Sequence, residues 1–580
     1  MQKQIRRREI LAGTRNFPPT ISSVLADIYA ARGIFDGEQL THELNRLKTP
    51  DQFKGLVDAA RLIADSIEQQ QSILIIGDFD ADGATSTALA VLALRAMGAL
   101  HVDFLVPNRF EYGYGLTPEI VAVAAQKNPD LIITVDNGIS SCEGVAAANA
   151  LDIRVLVTDH HLPGRDIPAA ACIVNPNQPG CGFPSKNLAG VGVIFYVLSA
   201  LRTELRNRGW FARQNIADPN LADFLDLVAL GTVADVVALD QNNRVLVAQG
   251  LRRIRAGRCR PGIKAILEVA KRSPDRIVAS DLGFAVGPRL NAAGRLDDMT
   301  LGIQCLLTDD PYLAREIARQ LDELNHDRRA IEATMQREAM SALESLHFSD
   351  ANALPWGVSL YRSEWHQGVI GILASRIKDR YHRPTIAFAD ADDGVTIKGS
   401  ARSISGLHIR DALDTVAAKN PGLLDKFGGH AMAAGLSLSR EKFKIFESAF
   451  DAVVREQLTE DDLTAVLLSD GELAPESFSL DIAQALRDGG PWGQHFPEPL
   501  FDGEFLLLQQ RLVGERHLKM VLAHPNSPQQ IIDAICFGID TRQWPNPEVK
   551  QIRAAYRLDI NEWRGQQSVQ LLVEYLEPVA

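Results

Sequence analysis

The sequence predicts an α/β protein: two α/β lobes joined by a long helix, with a small β-barrel at the C-terminal end of its 580 residues. Three observations predict this. Four apolar runs, "SILIIG" (72–77), "HVDFLVP" (101–107), "LIITVD" (131–136) and "IRVLVTD" (153–159), follow one another at βα-like intervals, with alanine-rich helical stretches between them. Continuous apolar strands alternating with helices imply a parallel sheet covered on both faces. The stretch 310–346 places Leu313, Ile317, Leu321, Leu324, Ile331 and Met335 on a helical period, which suits a long helix between lobes. Beyond about 455, "EFLLLQQRLVG", "RHLKMVLA", "IIDAICFG", "AAYRLDINEW" and "SVQLLVEYLEP" are short runs with turns between them, the pattern of a small barrel.

In chain order, residues 1–50 read as an N-terminal helical extension. Its opening "MQKQIRRREI" is basic, but no long apolar stretch follows, so no signal peptide is expected. Residues 51–240 hold the first α/β lobe, with helices such as "ATSTALAVLALRAMGA" and "CEGVAAANA" between its strands. Residues 241–348 form a helical connector that includes the basic stretch "LRRIRAGRCRPGIKAILEVAKR" (251–272), either a solvated face or a path for a polyanion. In 349–455, "WGVSLY", "RPTIAFA" and "VTIKGSAR" read as strands around the helix "VIGILASRIKDRY". The barrel occupies 456–580, and no repeat or low-complexity tract interrupts the chain.

Hydrophobic content of 46% and charged content of 23% are ordinary for a globular protein with a large core. The six cysteines (142, 172, 181, 259, 305, 536) form no C-x-x-C pair, which suits a reducing compartment rather than a disulfide framework. No run of about 18 apolar residues would span a bilayer. A cytoplasmic protein is expected. The net charge of −13 argues mildly against a polyanionic partner, but a local basic groove overrides net charge.

The polar residues concentrate where the strands end. In a parallel sheet the functional site lies at the carboxyl ends of the strands. Two of the four runs end in Asp, and the first leads straight into "GDFDADG", which places Asp78, Asp80 and Asp82 at alternate positions. Asp136 stands in "TVDNGIS", Asp159, His160 and His161 in "TDHH", and Asp235 after the apolar stretch of "LGTVADVVALD". Carboxylates this close repel unless a cation sits among them. The set holds no thiolate, so it is no structural zinc site; hard oxygen donors with one or two imidazoles suit Mn²⁺ or Mg²⁺. The donors outnumber the needs of one ion and would hold two, roughly 3.5–4 Å apart and sharing a carboxylate. Gly83 lets the backbone turn tightly into the next helix. Each motif alone has a plainer reading: a solvated D-x-D-x-D turn, a structural His pair, an Asp-Asn-Gly turn. Their order along one sheet carries the inference.

"DFDADG", "VDNG", "DHH" and "GTVAD", in this order, resemble the DHH phosphoesterase superfamily. "GPRLNAAGR" (287–295) resembles the next motif of its bacterial RecJ family of single-strand-specific DNA exonucleases. "WHQGVIGILASR", "KGSARS" and "FGGHAMAAG" resemble that family's DHHA1-type partner domain, and "GPWGQHFPEPLF" with the β-rich tail resembles its oligonucleotide-binding (OB) barrel. One departure is His495, where the pattern leads one to expect a small residue. The resemblance implies 5′→3′ hydrolysis of single-stranded DNA to 5′-mononucleotides with two Mn²⁺ or Mg²⁺ ions, in DNA repair and recombination. It implies Asp80, Asp82, Asp136, His160 and Asp235 as ligands, Asp136 as their bridge, and Asp78 as a ligand or a support behind one. Asp159 is then the acceptor that orients His160 or His161, and His161 touches the scissile phosphate or protonates the leaving oxygen.

Strand contacts are expected from Arg109 and Tyr114 in "NRFEYGYG" and from Arg289 and Asn291 in "GPRLNAAGR". Arg289 also suits a structural ion pair. In the second lobe Ser400, Arg402 and the Gly428, Gly429, His430 loop offer donors and close backbone approach to a phosphate. Trp492, Phe496 and Trp563 are candidate base-stacking residues of the barrel, with core packing as the plain alternative. The partners this implies are single-stranded DNA, a single-strand-binding protein and a helicase, with the chain a monomer and no membrane involved. Two other readings of the motifs are a phosphodiesterase for short oligonucleotides or cyclic dinucleotides and a non-catalytic replication scaffold. The C-terminal β-region favours a polymeric substrate over the first, and the full ligand set stands against the second.

Overall fold

The computed structural model describes residues 3–107, 115–345, 354–391 and 393–579, without the side chains of 342–345 and Trp563. The chain opens on a strand, β1 (Gln4–Arg7). The first lobe then carries β2 (Ile73–Ile76), β3 (Val102–Leu105), β4 (Leu131–Val135), β5 (Arg154–Thr158) and β6 (Cys172–Val174), all parallel, in the order β3-β2-β4-β5-β6. The expected two-sided burial follows the period of a strand. Ile73, Ile75, Leu131 and Ile133 pack with the helices Leu56–Glu68, Ala81–Ala96 and Gly190–Asn207. Leu74, Ile76, Ile132 and Val155 pack on the other face with Pro118–Ala125 and Cys142–Ala150. Because β2 lies between β3 and β4, the winding reverses there, and the crevice of such a sheet opens at the carboxyl ends of β2 and β4.

Helices fill the region up to the 35-residue helix Pro311–Ser345, which is roughly 50 Å long. Its Ala314, Ile317, Ala318 and Leu321 join the first lobe's core, and its Met335 and Ala339 join a core of the second lobe. Leu313, expected on the same buried row, is exposed. The second lobe contains β7 (Val358–Tyr361), β8 (Thr385–Asp390), β9 (Thr396–Arg402), β10 (Lys426–Gly429) and β11 (Ala433–Ser439), ordered β10-β11-β9-β8-β7. After β12 (Val466–Ser469), the strands β13 (Phe501–Val513), β14 (His517–His524), β15 (Ser527–Phe537), β16 (Gln551–Trp563) and β17 (Gln566–Pro578) close a barrel around Phe505, Met520 and Tyr556.

Two expectations need correction. The N-terminal extension is not simply helical: β1 pairs in parallel with β12, and the Arg7 guanidinium bonds Asp502 at 3.0 Å. One α-helix, Ser23–Ala30, and three short 3-10 turns follow among its described residues. Trp492 and Phe496 are packed rather than presented to bases. They stack on each other at 5.0 Å and on Tyr29, with Arg32 over Trp492 and Arg244 over Phe496. Trp563 lies in β16, and its side chain falls outside the described residues. In the basic stretch 251–272, Arg252 pairs with Glu43, Arg253 pairs with Asp223, and Arg255 donates to the Ile277 carbonyl. His495 takes φ 58, a left-handed conformation that explains why a small residue is expected there. No helix among the described residues is long and apolar enough to cross a membrane.

Candidate metal centre

The acidic loop after β2 folds through local capping. Asp80 is the N-cap of helix Ala81–Ala96, and its carboxylate accepts from the Asp82 and Gly83 N–H groups at 2.9 and 3.0 Å. Asp82 meets the N-terminus of another helix, Gly190–Asn207: the Gly190 and Val191 N–H groups donate to its two oxygens at 2.6 and 3.0 Å. A helix N-terminus favours a carboxylate at this place. Gly190 is required for the approach, because a Cβ there would lie 2.5 Å from the Asp136 Cβ.

Asp136 follows β4 with φ 63, and its N–H donates to the Thr158 carbonyl. The following Asn137 ties the turn down by donating to the Ile76 and Val135 carbonyls at 3.1 and 2.9 Å. After β5, Asp159 is 1% exposed and accepts from the Ile139, His160 and His161 N–H groups. The same carboxylate lies 2.7 Å from His161 Nδ1. Asp159 therefore orients His161, while His160 is held by a hydrogen bond to the Leu188 backbone. Asp235 caps the end of helix Leu225–Ala234 and reaches the cluster from the far side.

Three overlapping donor sets result: Asp82, His160 and Asp235; Asp78, Asp80 and Asp136; and Asp136, His160 and His161, each with donor atoms within 4.8 Å of one another. His160 Nε2 lies 3.1 Å from Asp136 Oδ1 and 3.4 Å from Asp235 Oδ2. Burial and the neighbouring carboxylates push the Asp136 and Asp235 carboxyls well above the ordinary range, and burial with Asp80 nearby takes Asp82 up to about 7. Burial and the adjacent His161 lower His160 to about 3, so its imidazole is neutral and able to ligate. Burial alone would lower His161 too, but the Asp159 hydrogen bond and charge prevail and raise it to about 9. His160 Nε2 and Asp235 Oδ2 are buried without a hydrogen-bond partner among the described residues. Converging carboxylates, a neutral imidazole and orphaned donor atoms fit divalent cations.

The second lobe reaches this cluster. The His430 ring, after Gly428 and the φ 143 turn at Gly429, stacks on His161 at 6.1 Å between centroids. Arg402 donates to Ser400 Oγ at 3.0 Å and to the Ala401 carbonyl, and both side chains crowd Gly371 in helix Ile370–Tyr381. Asn291 Oδ1 accepts from the Ala81 N–H at 2.7 Å, so it braces the acidic loop. Arg289 is differently engaged: it is 8% exposed, pairs with Asp322 at 2.8 Å and donates to the Ala285 carbonyl. Its guanidinium is committed to Asp322 of the long helix and to the Ala285 carbonyl rather than left for a phosphate. Arg109 and Tyr114 lie outside the described residues. The motif reading passed over Gly190, Val191 and Asn137. The small-residue run "LAGVG" ahead of a helix was the available signal for the first two.

Residues 72–232 match the DHH family, N-terminal domain, residues 355–456 the DHHA1 domain, and residues 469–575 the RecJ OB domain. The chain is 55% identical over 578 residues to the single-stranded-DNA-specific exonuclease RecJ of Escherichia coli (strain K12), covering 100% of both chains. It is 32% identical to the protein of that name from Bacillus subtilis (strain 168), covering 96% of this chain and 68% of that one. Among solved structures, RecJ from Thermus thermophilus in complex with Mn²⁺ matches with a TM-score of 0.78 at 29% identity, over 100% of this chain and 81% of that chain. The same protein in complex with Mg²⁺ matches with a TM-score of 0.73 at 28% identity, over 100% of this chain and 79% of that chain. The chain belongs to the RecJ family of DHH phosphoesterases.

Proposed function

We propose that the chain is a single-stranded-DNA-specific exonuclease that works 5′→3′, releases 5′-mononucleotides with two Mn²⁺ or Mg²⁺ ions, and serves DNA repair and recombination. The observation that carries this reading is the meeting of Asp82, His160 and Asp235 with Asp78, Asp80 and Asp136 at one strand edge, in a chain that is full-length kin to RecJ. These two sets would hold the two ions, with Asp136 as the carboxylate between them. When bound, the ions supply Lewis acidity that acidifies water and neutralises charge developing on the scissile phosphate.

The side chains supply the rest. Asp159 fixes His161 through Nδ1, which leaves Nε2 as the proton donor to the leaving oxygen. His430, stacked on His161, brings the second lobe against the reacting end of the strand. Ser400, Arg402 and the Gly428, Gly429 turn hold backbone phosphates, and Asn291 keeps the acidic loop in register for them. Arg109 and Tyr114, which follow β3 in the sequence, are the further strand contacts of this reading. Farther strand lies on the barrel, where phosphate contacts make binding salt-sensitive.

The chain acts as a monomer in the cytoplasm. Its six cysteines are all free, which supports a reducing compartment. A helicase and a single-strand-binding protein are the partners that suit an enzyme unable to open duplex by itself. Labelled strands test the polarity. A 5′-labelled single strand with Mn²⁺ releases its label at once as a mononucleotide, while a 3′-labelled one shortens through a ladder. The opposite pattern would overturn the reading.

A further inference from the structure

A cavity of about 480 Å³ lies between the lobes, apart from the metal ligands. Its walls come from the π-helical turn Leu282–Val286 with the following helix Gly287–Leu296, the long helix Pro311–Ser345, and helix Ile370–Tyr381 of the second lobe. Arg295, Arg328, Arg329 and Arg376 line it against a single carboxylate, Glu332. Arg328 is 8% exposed, and its Nε has no hydrogen-bond partner among the described residues. Phe284 stands at the rim, 79% exposed, although a large apolar side chain gains nothing from that position in water. Asn291 joins the two places: it lines the cavity while its Oδ1 holds the Ala81 N–H of the acidic loop.

Part of this lining is a strut. Glu332 accepts from Arg328 and Arg376 at 2.9 and 2.8 Å and so ties the long helix to the second lobe. The strut explains neither Arg329, which is exposed and makes no ion pair among the described residues, nor Phe284. Excess guanidinium charge beside an exposed aromatic face is the chemistry that recognises a phosphate carrying a base. The volume lies within the roughly 300–1,000 Å³ of small-molecule sites and suits one nucleotide rather than a strand.

We propose that this cavity binds a nucleoside 5′-monophosphate, the released product, with Phe284 against the base and Arg329 on the phosphate. The assignment rests on the exonuclease reading for the source of the nucleotide. Phe284 and Arg329 act here as ligand contacts, on the far side of Asn291 from the metal ligands.

Equilibrium dialysis of labelled deoxyadenosine 5′-monophosphate against the full chain in EDTA tests it, since removal of divalent ions disables the metal centre. Wild type and Asp136→Asn bind alike, whereas Phe284→Ala and Arg329→Ala each bind about tenfold or more weakly. Added mononucleotide inhibits Mn²⁺-dependent hydrolysis, and both variants need correspondingly more of it. Binding that is absent in wild type, unchanged in both variants, or lost in Asp136→Asn overturns the proposal. A single-stranded trinucleotide that competes as well as the mononucleotide overturns the assignment to product. If nucleotide binding follows the expected pattern while single-stranded DNA is not cut, the exonuclease reading has failed and the cavity remains a nucleotide site.

Discussion

Asp136 sits at φ 63, in a conformation that side-chain-bearing residues seldom take, with its carboxylate facing His160 and the other acids. Strain of this kind persists where surrounding bonds over-determine it, as Asn137 and the Thr158 carbonyl do here. Asp136→Asn therefore leaves the circular dichroism spectrum unchanged and lowers hydrolysis by more than about 10³-fold; near-normal turnover would remove Asp136 from the centre. Asp159 makes no direct claim on a cation, and its carboxylate serves His161. Asp159→Asn costs about 10–100-fold in activity, with the shift seen in the pH profile as His161 loses its charged partner. The metal-free centre also carries a pH signature. The folded Asp82 carboxyl titrates at about 7 against an ordinary 3.8, so the folded chain holds that proton more tightly than the unfolded one. Its stabilising contribution is full below the ordinary value and is lost as pH rises through about 7. In EDTA, melting falls between pH 6 and pH 8. The fall is smaller in Asp82→Asn, and Mn²⁺ at pH 8 restores the melting temperature of wild type. Equal pH dependence in wild type and Asp82→Asn would contradict this origin.

Strand tips and helix starts do the positioning at the next scale. β2, β4 and β5 were legible because residues buried on both faces leave unbroken apolar runs, and the acids that end those runs announced the site. What the sequence hid depends on contacts made only in the folded chain. The strand β1 is short and basic, and its partner β12 lies more than 450 positions later. Arg289 sits in a motif that invites a phosphate, yet folding places Asp322 of the long helix beside it. Trp492 and Phe496 look like stacking residues until Tyr29 covers them. The helix Gly190–Asn207 was not read from the sequence, and neither was its role as the cap of Asp82. That cap gives a direct test. In Gly190→Ala the new methyl would meet the Asp136 Cβ at 2.5 Å, so the helix must retreat from both carboxylates. The expected cost is about 1–3 kcal/mol of stability in denaturant titration, together with a weaker Mn²⁺ affinity. An alanine variant with unaltered metal binding would show that the helix does not set the geometry of the centre.

Across the whole molecule, the long helix carries one core at each end and sets the second lobe over the carboxyl edge of the first sheet, where His430 meets His161. A site enclosed between two lobes admits one backbone more readily than two. Blunt duplex DNA is therefore cut far more slowly than the same duplex with a 5′ single-stranded tail, and comparable rates would refute the narrow passage. Everything else depends on the first lobe gathering two cations from separate strand ends. Anomalous scattering from crystals soaked in Mn²⁺ measures this most directly. The account predicts two peaks about 3.5–4 Å apart, one within Asp82, His160 and Asp235 and the other within Asp78, Asp80 and Asp136; a single peak or none at these residues would contradict it.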